Sequence, residues 1–464
     1  MTLTNSTIEP SNPIAVEPLL PATRGLEFDR SESANSEPPA PPGSSSTRSW
    51  LANVALFLTG QSLSILGSSL VTFALTWYVT LKTGSGAQFS VLLIASALSM
   101  ALMAIPGGVW ADRYWRKALM IGADAAVAVV TTILAVFMLN GVDSLWLIAA
   151  ALALRGLGSG VQSPAVNAAI PQIVPADKLL RVNSFNQALQ AGIMVLSPAV
   201  AVLLIGWLPL GWILMVDVMT AILGITLTVF IRVPRLKIDP QATHGEGIRG
   251  YFAHAHEAFT HMWQIPGLRR ATIAAAVILT CVVPLGQMTP VFIVRLYDSQ
   301  QWMLAASETA FCIGMVVGGI GMSAWGGLRN RMTMLMIAWT AFCSLTVLLG
   351  LMSNIWSFIV VAGLMGLTLP MINTPLITAL QELIPEQMMG RVMSVVVLVN
   401  GLCQPLGMAV LGPLADHFNI TWIAIVCGAA GLIFLAALAI IGGPGSQLYA
   451  PDGQRTTDVA VAAA

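Results

Sequence analysis

Charged side chains are scarce in this chain. Asp, Glu, Lys and Arg together make up 9% of its 464 residues, against about a quarter in soluble domains. Hydrophobic residues account for 56% and the mean hydropathy is +0.80. A single soluble core could not bury that much apolar surface, so lipid must cover much of it. The net charge of zero gives no indication of a nucleic-acid partner.

Motifs for catalysis, metal binding and ATP hydrolysis are also missing. The five cysteines all lie in apolar runs of the second half and form no CxxC pair, which predicts neither a disulfide framework nor a metal site. GxxxxGK[ST] is absent, and so is a clustered nucleophile. The chain is therefore predicted to be no enzyme, to need no cofactor and not to be driven by ATP.

Long apolar runs separated by polar or Gly/Pro-rich breaks predict twelve membrane-spanning helices. The predicted spans are 51–81, 87–109, 117–139, 145–169, 182–205, 210–231, 269–294, 304–326, 332–352, 356–381, 391–414 and 420–442. They divide the chain into an N-terminal bundle at 49–231 and a C-terminal bundle at 269–442, with tails at 1–48 (predicted to be disordered) and 443–464. The connector, 232–268, carries a predicted amphipathic helix, whose His254, His256 and His261 are not interpreted as a metal site.

The distribution of Lys and Arg predicts the orientation. All but three of the 21 cationic residues fall on the tails, connector and loops of one side; the exceptions are Lys82, Arg295 and Arg155. Cationic loops stay in the cytoplasm. Both termini are therefore predicted to be cytoplasmic, in a cell (inner) membrane protein.

Two segments resemble each other across the halves. PQIVPADKLLRVNS at 171–184 and QELIPEQMMGRVMS at 381–394 share Pro, Arg, Val and Ser at equivalent positions, and each links the fourth span of its half to the fifth. A duplicated six-span unit explains the match. It predicts an all-α integral membrane protein of two six-helix pseudo-symmetric bundles.

The most concentrated charge lies in GGVWADRYWRK, residues 107–117. This stretch resembles the loop 2–3 signature of the major facilitator superfamily, G-x-x-x-D-R/K-x-G-R/K-R/K, with Trp115 where the family usually has Gly. The matching residues are Gly108, Asp112, Arg113, Arg116 and Lys117. The stretches 154–184 and 324–331 resemble the drug-export branch of that family, which includes macrolide efflux proteins and the enterobactin exporter.

The resemblance implies the major facilitator fold and a carrier that works by alternating access. Asp112 would close a cytoplasmic latch against the N-terminal end of the eleventh helix, near Gly390 and Arg391. Arg113, Arg116 and Lys117 would hold neighbouring carbonyls and lipid phosphates. The alternative is that the cluster only keeps its loop in the cytoplasm.

Three ionisable residues inside spans are candidates for proton coupling. Arg155 lies in the fourth span, in a setting similar to a family signature tied to proton movement, and an unpaired arginine there is costly. Asp124 and Asp217 could take up and release a proton, or Asp124 could be the static counter-ion of Arg155. Glu308 and Glu382 lie near span ends and are interpreted as interfacial.

Uncharged polar residues predict a hydrogen-bonding cavity, with contacts between helices as the alternative. Four of them form one face of the fifth span. The candidates are Asn183, Asn186, Gln187, Gln190, Asn400, Gln404, Gln61, Gln162, Asn167, Gln287 and Asn373. Pro198, in a stretch that resembles the exporters' fifth-helix antiporter signature but has Ser197 in place of Gly, is expected to kink that span.

Together these features predict a secondary transporter that exports an amphipathic small molecule, such as a drug, a macrolide-like compound, a siderophore or a secondary metabolite, by proton antiport. Multidrug resistance is one expected outcome, and a monomer in the lipid bilayer is expected from the family. A proton-coupled importer of the same fold and a non-transporting membrane sensor remain alternatives.

Overall fold

The computed structural model describes residues 47–175, 178–233, 259–260, 263–264, 266–297, 300–328, 330–384 and 386–442. Over these residues the chain is helical and has no strand, which confirms the all-helical prediction. Residues 1–46, the tail 443–464 and most of the connector, including His254, His256 and His261, lie outside the described residues.

The helices follow the predicted spans closely. In the first half they are α1 (Thr47–Thr83), α2 (Gly86–Arg113), α3 (Arg116–Leu139), α4 (Leu145–Ile173), α5 (Leu179–Trp207) and α6 (Leu210–Phe230). In the second half they are α7 (Pro266–Cys281), α8 (Val283–Gln287), α9 (Thr289–Leu296), α10 (Gln301–Trp325), α11 (Arg331–Leu351), α12 (Ile355–Leu383), α13 (Glu386–His417) and α14 (Ile420–Gly442).

Eleven helical segments in the described part of the chain are long and apolar enough to cross a membrane. The remaining predicted span, 391–414, falls within the single helix α13.

The seventh predicted span is not one helix. The prediction of a continuous helix over 269–294 is corrected by breaks at Val282 and Met288, which separate α7, α8 and α9. Each break precedes a proline near the start of the next helix, Pro284 or Pro290. Proline has no backbone N–H to donate, and its ring clashes with the carbonyl four residues earlier, so a helix cannot run through it undisturbed.

The two halves pack their helices in the same pattern. In the first half α2 packs on α4, and α3 packs on α4 and α6. The corresponding spans of the second half repeat these pairs: α10 packs on α12, and α11 packs on α12 and α14. The duplication suggested by the two short segments therefore extends to the tertiary packing.

Glycine allows the closest of these approaches, between α2 and α4 and between α10 and α12. A Cβ on Gly160 would lie 2.6 Å from the carbonyl oxygen of Met100. A Cβ on Gly314 would overlap the carbonyl of Gly363, and one on Gly366 would overlap that of Phe311. Lipid gives helices little hydrophobic reason to associate, so close backbone packing at small residues holds them together.

Polar residues divide the interior of the first half. One apolar cluster, around Phe57 and Met120, lies towards the end of the bundle that carries residues 107–117. A second, around Leu75 and Leu152, lies towards the other end. Between them, along the same helices, lie Arg155 and other buried polar side chains.

We predict that Gly314→Ala will destabilise the fold by about 1–3 kcal/mol, because its methyl group would overlap the backbone of α12. Thermal unfolding of the purified protein in detergent measures the effect. Gly319→Ala, in the same helix, is the matched control, since nothing lies within 4 Å of its added Cβ. Equal melting temperatures for the two variants would contradict the close packing described here.

Candidate functional site

A buried ion pair lies in the N-terminal bundle, nearer to the end at which α4 and α6 begin. Arg155 Nη1 of α4 lies 2.5 Å from Asp217 Oδ2 of α6, and the two residues are 4% and 1% exposed. Arg155 also donates to the hydroxyl of Thr131 on α3 and, at 3.4 Å, to the carbonyl of Ser68 on α1. One guanidinium thus joins four helices of this half.

The counter-ion of Arg155 is therefore Asp217. The sequence had left open Asp124 as the counter-ion, and the structure does not pair it with Arg155. The helix directions explain the difference. Arg155 lies ten residues into α4 and Asp217 seven residues into α6, and both helices begin at the same end of the bundle. Asp124 lies eight residues from the start of α3, which begins at the opposite end.

Asp124 belongs to a second polar group, whose other members are neutral side chains. Its Oδ1 accepts hydrogen bonds from the hydroxyl of Ser64 and from the side-chain amide of Gln162, both at 2.7 Å. The Gln162 amide also lies 3.3 Å from Gln61 Oε1. Asp124 is 3% exposed, and its Oδ2 is buried without a partner among the described residues.

A cavity of about 860 Å³ lies between the two halves. Its wall combines hydroxyl and amide side chains with Phe, Met and Leu side chains from α1, α2, α4 and α5 of the first half and from α8, α9, α10, α11 and α12 of the second. Ser64, Gln61 and Gln162 line it, which places Asp124 one side chain behind the wall.

Six of the eleven predicted cavity residues line this space: Gln61, Gln162, Asn167, Gln187, Gln190 and Gln287. The other five, Asn183, Asn186, Asn373, Asn400 and Gln404, do not. In α5, Gln187 and Gln190 face the cavity, whereas the neighbouring Asn186 is only 9% exposed and Asn183 lies a turn nearer the start of the helix.

The interpretation of Glu308 as interfacial is corrected by the structure, because this residue lines the cavity together with Ser307 and Phe311. Ser307 and Thr309 flank Glu308 in the sequence. Only the packing of α10 against the first half shows that it faces the cavity. Glu382 lies where side chains are not described.

Pro198 lies within the continuous helix α5 and so leaves the carbonyl of Met194 without its helical donor. The Cys312 thiol of α10 lies 3.7 Å from this Met194 oxygen, so the carbonyl that Pro198 leaves free contacts the other half. In the preceding position, the Ser197 hydroxyl donates to the carbonyl of Ile193 at 2.7 Å.

The basic residues of the 107–117 stretch bind helix ends of their own half. Arg116 donates to the carbonyls of Ala111 and Ala168 at 3.1 and 2.6 Å. Lys117 donates to the carbonyls of Val229 and Ile231 at 2.7 and 2.9 Å. Arg113 is exposed.

Trp115, which replaces the usual Gly of the resembled motif, has an extended backbone with φ −62°, so no glycine is needed there. Its indole N–H donates to the carbonyl of Val233 at 3.4 Å, and the Lys117 ammonium lies 5.6 Å from its ring centre.

The predicted latch lies largely outside the described side chains, since those of Asp112, Gly390 and Arg391 are not described. At Gly108, no described residue lies within 4 Å of an added Cβ. The other end of α2 is tight: a Cβ on Gly86 would lie 2.8 Å from the carbonyl oxygen of Gly412 on α13. The two halves therefore close around α2 at the end remote from Gly108, which we call the predicted outer end.

Asp416, near the end of α13, closes the predicted outer end. Its carboxylate accepts hydrogen bonds from the Ser85 hydroxyl at 2.6 Å and from the backbone amides of Gly86 and Ala87, at 2.7 and 3.1 Å. It therefore caps the N-terminus of α2, a helix of the other half. Arg295 adds an ion pair at 2.5 Å and donates to the carbonyl of Gly84 at 2.8 Å.

Sequence reasoning missed this closure, although one signal pointed to it. Lys82 and Arg295 are the two cations at predicted outer ends, where the preference of cationic loops for the cytoplasm does not explain them. Each has an aspartate partner at 2.5 Å in the structure, Asp143 for Lys82 and Asp416 for Arg295.

The pKa of Asp416 lies below its ordinary value. Burial alone would raise the pKa, but the hydrogen bonds from Ser85, from the amides of Ala87 and Gly86 and from Arg295 together outweigh it. The ionised carboxylate thus stabilises the closed outer end above the ordinary aspartate pKa of about 3.9, and this contribution is lost as the pH falls through the lowered pKa.

Comparison with known proteins gives consistent matches along most of the chain. The family model described as Major Facilitator Superfamily matches residues 57–407 and 297–459. Macrolide efflux protein A of Streptococcus pyogenes is 27% identical over 394 residues, which cover 82% of this chain and 96% of the relative. Enterobactin exporter EntS of Salmonella choleraesuis is 25% identical over 414 residues, covering 85% and 95%.

Among solved structures, a POT family transporter in complex with a thioalcohol-conjugated peptide aligns with a TM-score of 0.68. The identity is 11%, and the match covers 84% of this chain and 96% of that one. At this identity the likeness shows the fold alone.

We predict that Asp217→Asn will destabilise the protein by about 3–5 kcal/mol, because it leaves the Arg155 charge buried without its partner. The melting temperature in detergent measures this. Asp124→Asn is the matched control and should cost less, since its partners Ser64 and Gln162 are neutral. The double variant Arg155→Gln/Asp217→Asn should be more stable than Asp217→Asn alone; a lower melting temperature would contradict the pairing.

We predict that Asp416→Asn will open the predicted outer end more often. In a background without native cysteines, the cavity-lining position Thr72→Cys should react about tenfold or more faster with an impermeant thiol reagent added outside. With Asp416 intact, the labelling rate divided by that of Asp416→Asn at the same pH should rise as the outside pH falls towards 4 and below, and this ratio cancels the loss of reactive thiolate. Asp143→Asn, an aspartate of the same end that lies in a loop and bridges no halves, is the control; equal rates in all variants would contradict the closure.

Proposed function

The chain belongs to the major facilitator superfamily, and from this we propose that it exports an amphipathic small molecule in exchange for protons. As a member of this family it is a multi-pass membrane transporter of a small molecule and not an enzyme. The proposal concerns the direction of transport, the coupling ion and the class of substrate.

The observation that carries the proposal is the cavity between the halves. Its volume of about 860 Å³ suits a drug-sized molecule, and its wall offers both hydrogen-bonding groups and large apolar side chains. An amphipathic molecule needs both kinds of contact. Access has to alternate between the two membrane faces, and closure by α2 and α13 at the predicted outer end supplies one of the two states.

The relatives support export over import. Both the macrolide efflux protein and the enterobactin exporter match over more than nine-tenths of their own length, so the likeness includes both halves and the cavity between them. Multidrug export and export of a compound made by the cell are both consistent with this likeness.

Asp124 supports proton coupling. Its carboxyl is separated from the cavity only by Ser64, Gln61 and Gln162, so small shifts of that wall would admit water and let a proton exchange. Asp217 is a second candidate carboxyl, because its protonation would break the ion pair with Arg155. Loss of that ion pair would loosen four helices together.

The setting follows from the same proposal. The Lys and Arg distribution favours a cell (inner) membrane with both termini in the cytoplasm. Lipid and protons are then its partners besides the substrate, and one copy with its two halves encloses a complete cavity, which supports a monomer.

We predict that proteoliposomes will move a panel of amphipathic compounds, erythromycin among them, against a gradient only when a pH gradient is imposed. Asp124→Asn should reduce this uphill movement by about tenfold or more, while exchange of labelled for unlabelled compound without a gradient continues. The reason is that exchange needs the cavity and alternating access but no net proton transfer.

The matched control is Asp143→Asn, whose carboxylate lies in the loop between α3 and α4, and it should behave as wild type. Uphill movement that persists in Asp124→Asn would rule out Asp124 as the coupling group. Uphill movement in the direction of import would contradict the proposed export and favour the alternative, a proton-coupled importer.

A further inference from the structure

Glu308 is the one ionisable side chain among the described residues that line the cavity. Glu308 lies seven residues after the first residue of α10, which is about 10 Å along the helix axis. The cavity wall contributes hydroxyl, amide and apolar groups around it, but no lysine, arginine or histidine from the described part of the chain.

The carboxylate of Glu308 has no partner in the described structure. No hydrogen bond or ion pair joins it to another described residue, and Cys312, one turn further along α10, directs its thiol to the carbonyl of Met194. Three described cations are paired with another acid: Arg155 with Asp217, Lys82 with Asp143 and Arg295 with Asp416.

An unpaired carboxylate at membrane depth is costly, and a cation brought to it lowers that cost. Anionic ligands would add a second negative charge without meeting a positive one among the described lining residues. An ionised Glu308 would therefore favour bound cations over neutral molecules, and neutral molecules over anions.

The surroundings of Glu308 suit an organic cation better than a metal ion. Phe311, Phe73 and Phe89 line the same cavity, and aromatic faces attract ammonium groups. Met365 and Met100 supply adaptable apolar surface for the remainder of the molecule. Metal ions require several convergent oxygen, nitrogen or sulfur ligands, and the described residues contain no group of three His, Cys, Asp or Glu that could hold one.

We propose that Glu308 binds the protonated amine of the transported molecule, so that lipophilic amines are the substrate class. This inference rests on the proposed export function, because it treats the cavity as the substrate site. The apolar wall holds the body of the molecule, and the Glu308 carboxylate accepts hydrogen bonds from its ammonium group.

Two fluorescent probes of equal shape test the subsite. One carries a dansyl group on an octyl chain that ends in dimethylamine, and the other ends in an isopropyl group of the same size. Binding to the full-length protein in lipid nanodiscs is measured by fluorescence titration, with empty nanodiscs as the background. Wild type should bind the amine about tenfold or more tightly than the neutral probe.

Glu308→Gln should abolish this preference by weakening amine binding, while neutral-probe binding stays as in wild type and shows that the variant is folded. Glu308→Asp should retain part of the preference, and it replaces Glu308→Gln should that variant not fold. Asp143→Asn removes an equivalent charge outside the cavity and should leave both affinities unchanged. Equal binding of both probes to wild type, or an unchanged preference in Glu308→Gln, would overturn the subsite.

Transport of the same two probes separates the subsite from the export function. Glu308-dependent amine binding without uphill movement of either probe would support the subsite and count against export. Uphill movement of both probes at equal rates, with no effect of Glu308→Gln on binding or movement, would leave export standing and overturn the amine subsite.

Discussion

A charge at membrane depth has to be paired or has to face water, and the placement of ionisable residues in this protein follows from that cost. Arg155 meets it through Asp217, and the pair ties four helices of the first half together. Asp124 meets it through two neutral donors. Glu308 has no partner among the described residues and faces the cavity.

The same solvent explains how the helices pack. Because lipid is as apolar as the helix surfaces, association depends on close backbone approach at glycines and on polar contacts. Both halves use the same pairs of spans for it, as expected from a duplicated unit. Along α2, a Cβ added at Gly86 would lie 2.8 Å from the carbonyl oxygen of Gly412 on α13, whereas at Gly108 no described residue lies within 4 Å of an added Cβ. A joint of this kind can open at one end while it closes at the other.

The cavity, the ion pair and the outer closure have different roles in the proposed cycle. The cavity holds the substrate, and Asp124 lies close enough behind its wall to exchange a proton with it. Asp416 and Arg295 hold the predicted outer end closed through groups that belong to both halves. These contacts lie just beyond the predicted spans and are partly exposed, so each can break and reform during transport.

The sequence by itself determined the spans, the duplication and the family, because hydrocarbon thickness and the cost of charge act on each segment separately. It also predicted part of the cavity, including Gln187 and Gln190, since helical periodicity defines a face. Only the tertiary structure decided that Asp217 pairs with Arg155, that Glu308 faces the cavity and that Asp416 caps a helix of the other half. Those contacts depend on which faces of distant helices meet, and periodicity within one helix carries no information about that.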